Sequence, residues 1–500
     1  MENLHYEEKQ MTTKLKVGAS STSNWGAINW HYVTSDVRRL QMRIAKATRE
    51  GRYGKVKALQ WLLTHSFNAK LLAIKRVTQN QGAKTPGIDG ITWKTSKQKM
   101  EGVKSLRRRG YQTKPLKRIY IPKKTNGLRP LSIPTIACRA QQALYLLALE
   151  PVTEMLADKN SYGFRPLRST ADAIEQCFRI LAKRSSAQYI LECDIKACFD
   201  NISHTWLYNN IIMDKVILKK WLNAGYIEQG KLCFTEKGTP QGGIISPTLL
   251  VNTLSGLETA VRKVVSTRTD KVNLCIYADD FIITGVSKEV LESKVKPAVE
   301  SFLSERGLRL SEAKTKITHI DEGFNFLGVN IRKYNGKCII KPAKNNVKRL
   351  LSNIREIIKR NATIKTENLI NLLNPKIIGW GNYYRHICAK RTFSYVDHGI
   401  FLSLYRWMKR RHPKKSIRWI KNQYFRSDKS RNWIFSAKTQ GNLDLAEMSK
   451  ISIKRYIKLK AVATPYNPIY KEYLNKRYQS RVLNLTLRKE GSRVVENTAL

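Results

Sequence analysis

Tyr277-Ala278-Asp279-Asp280 lies between two apolar, β-prone runs, 272–276 and 281–284. That pattern predicts a hairpin with buried strands and adjacent acids at its tip. An Asp-Asp pair more often marks a plain turn, but here apolar strands flank it on both sides. Two carboxylates beside an apolar core cost free energy unless something neutralises them. Divalent cations are the natural candidate. A third acid, Asp194, closes the strand-like run 189–193.

Charge narrows the partners. The 500 residues carry 91 Lys+Arg against 38 Asp+Glu, a formal net charge of +53. Such a chain repels itself unless a polyanion accompanies it, and nucleic acid is the expected one, ahead of an acidic membrane. The bases recur along the chain, as at Arg107-Arg108-Arg109, Lys123-Lys124 and Lys409-Arg410-Arg411. Late in the sequence they interleave with Trp380, Tyr383, Tyr384, Trp407, Trp419 and Trp433, a mixture that serves base stacking or a helical core. The 8 cysteines form no C-x-x-C pair, so no zinc site or disulfide framework is expected, which fits a reducing compartment. The acidic start of the chain is unlike a secretory or transit peptide, and no apolar run reaches membrane-spanning length.

Length alone predicts several domains. Residues 1–30 read as a loose tail, and the first helix is expected to start at Ser35-Asp36, with Val37, Leu40 and Ile44 on its apolar face. A second helix carries Val56, Leu59, Leu62 and Leu63, and a turn-rich loop spans 82–90. A strand at 119–121, a turn at 123–127 and a long amphipathic helix around 136–156 follow. From 189 to 330 strands and helices alternate, including single helices expected at 247–264 and 287–306. The order suggests an α+β fold with an antiparallel sheet. Past 340 strands are expected to stop and helices to dominate, and 436–500 is basic and weakly patterned.

Joining a nucleotide to a 3′ hydroxyl requires an activated oxygen and a stabilised pyrophosphate. Two magnesium ions held by carboxylates supply both, and Asp194, Asp279 and Asp280 could hold them. At this point the chain resembles a reverse transcriptase. The family's motifs occur in order: Gly127-Leu128-Arg129-Pro130-Leu131, Ser161-Tyr162-Gly163-Phe164-Arg165-Pro166, Asp194 with Phe199-Asp200, Gly238-Thr239-Pro240-Gln241-Gly242-Gly243, Tyr277-Ala278-Asp279-Asp280, Lys314-Thr315-Lys316 and Phe324-x-Phe326-Leu327-Gly328. The resemblance implies a right-hand polymerase, with fingers, an antiparallel palm sheet and then an α-helical thumb.

It also implies residue roles. Asp194, Asp279 and Asp280 would bind the two magnesium ions. Phe199 would be the steric gate beneath the sugar. Lys123 and Arg129 would hold the triphosphate of the incoming deoxynucleotide. Gln241 and Gly242 would shape its pocket, and Lys314 would be a proton donor near the pyrophosphate. Asp200 is expected to cap the next helix instead.

Among reverse transcriptases the chain is similar to the group II intron-encoded type. The resemblance rests on the Pro86-Gly87-Ile88-Asp89-Gly90 loop, on residues 61–67, and on Asn374-Pro375-x-x-x-Gly379-Trp380-x-Asn382-Tyr383-Tyr384 with Arg410-Arg411-His412-Pro413. It implies fingers and palm over 31–335, a maturase or thumb domain over 336–435, and a DNA-binding-like region over 436–500. Implied partners are the group II intron RNA and a primer-template duplex at the DNA target, with Trp380, Tyr383, Tyr384, Arg410 and Arg411 on the RNA-binding side. No membrane is implied, and no feature sets an oligomeric state.

The implied work is splicing assistance followed by reverse transcription of the intron during retrohoming, in bacterial cytoplasm or in an organelle. A splicing-only maturase and a domesticated defence enzyme are the alternatives. No histidine follows His412 and no cysteine follows Cys388, so the zinc-supported His-Asn-His nuclease of many relatives is not expected in this sequence.

Overall fold

The computed structural model describes residues 24–122, 127–266, 268–428, 431–438 and 442–479. The calls on Lys123 and on the chain ends, 1–23 and 480–500, therefore lie outside the described residues. Two compact units form. The first takes the described residues within Met1–Ser169, Leu191–Lys316 and Leu459–Asn475; the second takes those within Thr170–Ile190, Ile317–Lys458 and Lys476–Leu500.

The first unit opens with a helical layer. Its first helix is Trp30–Arg49, which begins ahead of the expected Ser35 because the Asn29 side chain accepts from Tyr32 N–H and caps it. Val33, Val37 and Ile44 are buried on its inner face. The next helix, Tyr53–His65, buries Val56, Leu59 and Leu63 but leaves Leu62 exposed. With Phe67–Gln79, these helices pack on Ile136–Leu156. That last helix is buried on nearly every side, not amphipathic as its pattern suggested, because helices cover it from several directions.

The strands that position the site are β1 (Leu116–Pro122), β2 (Leu128–Ile133), β3 (Tyr189–Asp194), β4 (Tyr226–Glu228), β5 (Lys231–Cys233), β6 (Asn273–Tyr277) and β7 (Asp280–Gly285). One sheet has the order β2-β1-β4-β5. In another, β6, β7 and β3 are successive neighbours. β6 and β7 are antiparallel, with Leu274 opposite Ile283 and Tyr277 opposite Asp280. Ala278 and Asp279 therefore form the turn, and Ala278 takes a left-handed φ of 59°.

The far edge of β6 is taken by residues 160–162. Ile276 N–H donates to Asn160 O at 2.9 Å, and Tyr162 N–H donates to Ile276 O at 2.9 Å. Gly163 then passes so close that a Cβ on it would lie 2.9 Å from the Tyr277 carbonyl carbon and press on Ala278 N. Two residues on, Arg165 turns into the core. Its Nε meets Glu154 Oε1 at 2.7 Å, and its Nη1 donates to Asp158 O and Ser161 O at 2.7 and 2.8 Å. Arg168 Nη1 meets the second Glu154 oxygen at 2.9 Å.

The expected helix 247–264 is two helices, Ser246–Leu254 and Leu257–Val264. Gly256, with φ 94°, breaks it, and the Asp158 carboxylate accepts from Gly256 N–H and Glu258 N–H to start the second. The expected helix 287–306 contains one π turn, Leu291–Val295, ahead of Lys296–Ser304.

In the second unit, after β8 (Lys316–His319), the strands β9 (Phe324–Phe326), β10 (Val329–Tyr334) and β11 (Lys337–Pro342) form an antiparallel sheet in the order β11-β10-β9. Helices Lys344–Arg360, Thr366–Tyr384, Lys390–Arg411 and Ile417–Tyr424 follow. Strands do not stop past 340, contrary to expectation. A small sheet forms from β12 (Phe425–Arg426), β13 (Ile434–Ala437) and β14 (Leu443–Asp444). It is held by an aromatic cluster, with Phe425 centred 5.0 Å from Trp433 and 5.7 Å from Phe435, and by the Arg426–Asp444 ion pair. Strands this short show no period-two signal.

Replacing Gly163 by Ala puts a methyl group against backbone that has no room to give. The expected cost is about 1–3 kcal/mol, the range for overpacking, read as a lower denaturant midpoint. An unchanged midpoint would show that the 160–163 segment does not brace the hairpin.

Candidate active site

β3 and β7 are neighbours, so Asp194 at the end of one and Asp280 at the start of the other come to the same end of the sheet. Asp279 joins them from the turn, where its carbonyl accepts from Ile195 N–H at 3.3 Å. All three are half-buried. Burial, then the charges of Asp194 and Asp279, push the Asp280 carboxyl up to about 7. Burial, then the Asp194 charge, raises Asp279, while Arg129 and Lys314 pull it back. The site thus crowds like charges beside an apolar core, where Cys193 and Cys198 are buried with their thiols pushed up by burial.

Lys314 Nζ stands 2.8 Å from Asp194 Oδ2, and Lys316 Nζ 3.3 Å from Glu192 Oε1. Lys314 is held near the acid because Ser311 N–H donates to Asp194 O at 2.8 Å and Lys314 N–H donates to Ser311 O at 3.0 Å.

Among the described residues, no three His, Cys, Asp or Glu side chains close into a ready-made metal cage. The donors are nonetheless hard carboxylate oxygens in mutual repulsion. Magnesium is commonly held by one or two carboxylates together with substrate phosphates. The residues therefore fit a cation that arrives with a triphosphate.

Phe199 lies in the short helix Cys198–Asn201, with its ring 6.3 Å from that of Phe164 and edge-on to it. Thr239 N–H donates to Phe199 O at 2.6 Å, and Gly238 N–H donates to Ile202 O at 2.7 Å, so this turn and the 238–242 loop are tied backbone to backbone. Gly238 (φ 86°) and Gly242 (φ 119°) both approach backbone: a Cβ on either would meet it at 2.7 Å, at Asp200 and at Ser132 O respectively. His204 Nε2 sits 2.7 Å from Gly238 O and braces the loop from behind. Arg129, on β2, is exposed.

Asp200 does not cap the next helix. The Ser203 hydroxyl accepts from Trp206 N–H and does so. Asp200 instead accepts from the Gln241 amide, Nε2 standing 3.3 and 3.4 Å from its two oxygens. This contact and the His204 brace were not anticipated. Adjacency of Asp200 to Phe199 was the available signal for the first; nothing local signals the second.

In the second unit Tyr384 is 3% exposed and offers no ring face to a base; its hydroxyl donates to Gly328 O at 3.0 Å. Trp407 is likewise buried, with Nε1 donating to Asn361 O at 3.1 Å. Trp380 is half-buried, 4.3 Å from Tyr384. Tyr383, Arg410 and Arg411 are exposed, although Arg411 Nη1 is bonded to Ile364 O at 2.7 Å. These aromatics mainly build the helical core, because ring burial against neighbouring helices outweighs solvent display.

Residues 121–331 match the family described as Reverse transcriptase (RNA-dependent DNA polymerase), residues 25–106 the N-terminal domain of reverse transcriptase, and residues 347–425 the Group II intron, maturase-specific domain. Protein YkfC of Escherichia coli (strain K12) is 33% identical over 300 residues, covering 51% of this chain and 77% of that protein. Group II intron-encoded protein LtrA of Lactococcus lactis subsp. cremoris is 30% identical over 328 residues, covering 52% of this chain and 54% of LtrA, so the match spans about half of that relative's length. A telomerase structure from Candida albicans superposes with a TM-score of 0.38 at 13% identity, over 64% of this chain and 63% of that one, too loosely to argue from. Among the described residues no helix is long and apolar enough to cross a membrane. The chain belongs to the reverse transcriptase family, in its group II intron-encoded branch, whose polymerase domain implies metal and deoxynucleoside triphosphates and whose maturase domain goes with RNA binding.

Proposed function

We propose that this chain copies RNA into DNA by nucleotidyl transfer on two magnesium ions held by Asp194, Asp279 and Asp280, and that it binds and helps to splice a group II intron RNA. The observation that carries the reading is the meeting of these acids at one sheet end, where Asp280 is raised to about 7 by burial and by the two neighbouring charges. Carboxylates so crowded bind a cation in place of a proton. Bound magnesium would lower the pKa of the primer hydroxyl and balance charge on the pyrophosphate.

The protein's own groups do the rest. Arg129, with Lys123, steers the triphosphate, and a guanidinium fork suits phosphate oxygens. Lys314, beside Asp194, would give a proton to the departing pyrophosphate. Phe199 underlies the sugar. Gln241, its amide nitrogen on Asp200, would shape the nucleotide pocket together with Gly242. The match to the maturase-specific domain favours a group II intron as the RNA, with Tyr383, Trp380, Arg410 and Arg411 near it, Tyr384 supporting them from the core, and primer-template DNA as the second partner. Fingers and palm over 31–335, a maturase domain over 336–435 and a DNA-binding region over 436–500 suit this division of labour. No zinc enters the chemistry. The work would follow retrohoming in a bacterium or an organelle.

Asp279→Asn is expected to cut deoxynucleotide incorporation on an RNA template by about a thousandfold or more, since the metal-assisted step supplies several kcal/mol and each 1.4 kcal/mol is tenfold. If wild-type protein incorporates nothing with magnesium, primer and template while still promoting intron splicing, the chain is a splicing cofactor instead. Phe199→Val should raise ribonucleotide use by about tenfold; unchanged sugar selection in a primer-extension assay removes its role as gate.

The net charge of +53 predicts strongly salt-dependent RNA binding. Filter binding across salt concentrations should give a log–log slope near about −4 for some six neutralised phosphates, and a flat line would contradict phosphate contact.

A further inference from the structure

Asp200 is exposed, and the capping its position suggests is done by the Ser203 hydroxyl. Its carboxylate faces the Gln241 amide, with Nε2 at 3.3 and 3.4 Å from the two oxygens. Each bond is long, so the contact is weak by itself. Its weight comes from the two main chains, which are both fixed from elsewhere.

On one side, Asp200 N–H donates to Ala197 O at 2.9 Å, and Ala197 holds a left-handed φ of 46°. Gly238 packs directly behind, where a Cβ would meet the Asp200 carbonyl at 2.7 Å. On the other side, Ser132 N–H donates to Gln241 O at 2.7 Å, which joins Gln241 to β2, the strand of Arg129. Side chains that project from backbone held in this way meet without a search. Burial raises the Cys198 thiol, and the charges of Asp279, Asp194 and Asp200 add to it, so Asp200 stands among the acids of the site.

Chemistry then sets the direction of the amide. A carboxylate only accepts hydrogen bonds, so it takes the NH2 end of Gln241 and turns the carbonyl end away. A glutamine without such a partner is spread over many rotamers and both amide faces, and ordering it costs free energy at the moment a ligand binds. We propose that Asp200 is a positioning residue, which holds the Gln241 side chain in a single rotamer and amide orientation ready for the incoming deoxynucleotide. The proposal rests on the reading of the chain as a polymerase and adds a residue to its nucleotide pocket.

Charge alone argues for the opposite effect. A carboxylate beside an arriving triphosphate repels it, so its removal would tighten nucleotide binding if repulsion decided the matter. Positioning requires that removal weaken binding, and the sign separates the two.

Primer extension on an RNA template with the full chain and magnesium would give kcat and the deoxynucleotide KM for wild type, Asp200→Ala, Asp200→Asn, Gln241→Ala and the double variant Asp200→Ala/Gln241→Ala. Asp200→Ala should raise KM about fivefold, the worth of one hydrogen bond, with kcat held within about twofold. Asp200→Asn keeps an acceptor oxygen and should recover most of the affinity. The double variant should be no worse than Gln241→Ala, because Asp200 then has nothing left to hold. If Asp200→Ala folds poorly, Asp200→Leu, which keeps the shape and lacks the acceptor, takes its place in the cycle.

Additive losses in the double variant would overturn the proposal and leave the polymerase reading standing. An unchanged or lower KM in Asp200→Ala would overturn it as well, as would a fall in kcat that extra magnesium restores, which would assign Asp200 to the metal. No incorporation by the wild-type chain would overturn the polymerase reading and this proposal together.

Discussion

The site depends on one backbone-to-backbone contact. Residues 160–163 run along the open edge of β6, exchange hydrogen bonds with Ile276, and pass the hairpin tip with only a hydrogen on Gly163 to spare. A turn that carries two carboxylates and a left-handed Ala278 is not stable by itself. It is fixed from outside by a strand-like segment, and that segment is fixed in turn by Arg165, whose guanidinium reaches Glu154 and the carbonyls of Asp158 and Ser161. The motif Ser161-Tyr162-Gly163-Phe164-Arg165-Pro166 thus acts as a clamp. Gly163 permits the approach, Arg165 locks the far end, and Phe164 is left facing Phe199.

With the hairpin held, electrostatics sets the chemistry. Asp194, Asp279 and Asp280 share one end of a sheet whose interior is Cys193, Ile276 and Phe281. The carboxylates can escape their repulsion by holding a proton or a cation. Lys314 already answers for part of the charge at Asp194, and Arg129 for part at Asp279. Such an arrangement keeps its acids close, and hard carboxylate oxygens in that crowding suit a cation that arrives with phosphates.

Much of this was legible in the sequence because its signals are local. The β6–β7 hairpin shows as two apolar runs around Asp279-Asp280, and β3 as a run ending in Asp194. The glycines of 238–243 mark a loop that crowds backbone, and at Gly238 and Gly242 the reason is visible as contacts at 2.7 Å. What stayed hidden is non-local or too short to have a period. The start of the first helix was misplaced because Asn29, a cap without an acidic companion, is weaker in sequence than Ser35-Asp36. The break at Gly256 depends on Asp158, remote in sequence. β12, β13 and β14 owe their association to the aromatic contacts of Phe425 and to the Arg426–Asp444 ion pair, not to alternation. The role of Asp200 could not be separated from a helix cap without seeing that Ser203 fills that position.

The late aromatics show why composition is a blunt guide to nucleic-acid contact. Tyr384 and Trp407 sit among many basic residues, yet both rings are buried and their polar atoms are spent on Gly328 and Asn361. A ring has one apolar surface to give, and a helix-packing neighbour that is always present competes better for it than a base that arrives only on binding. The lysines and arginines face the opposite balance, since their charged ends are cheaper to leave in water. The same sequence thus sorts itself. The aromatics order the helices, and the cations remain displayed along them.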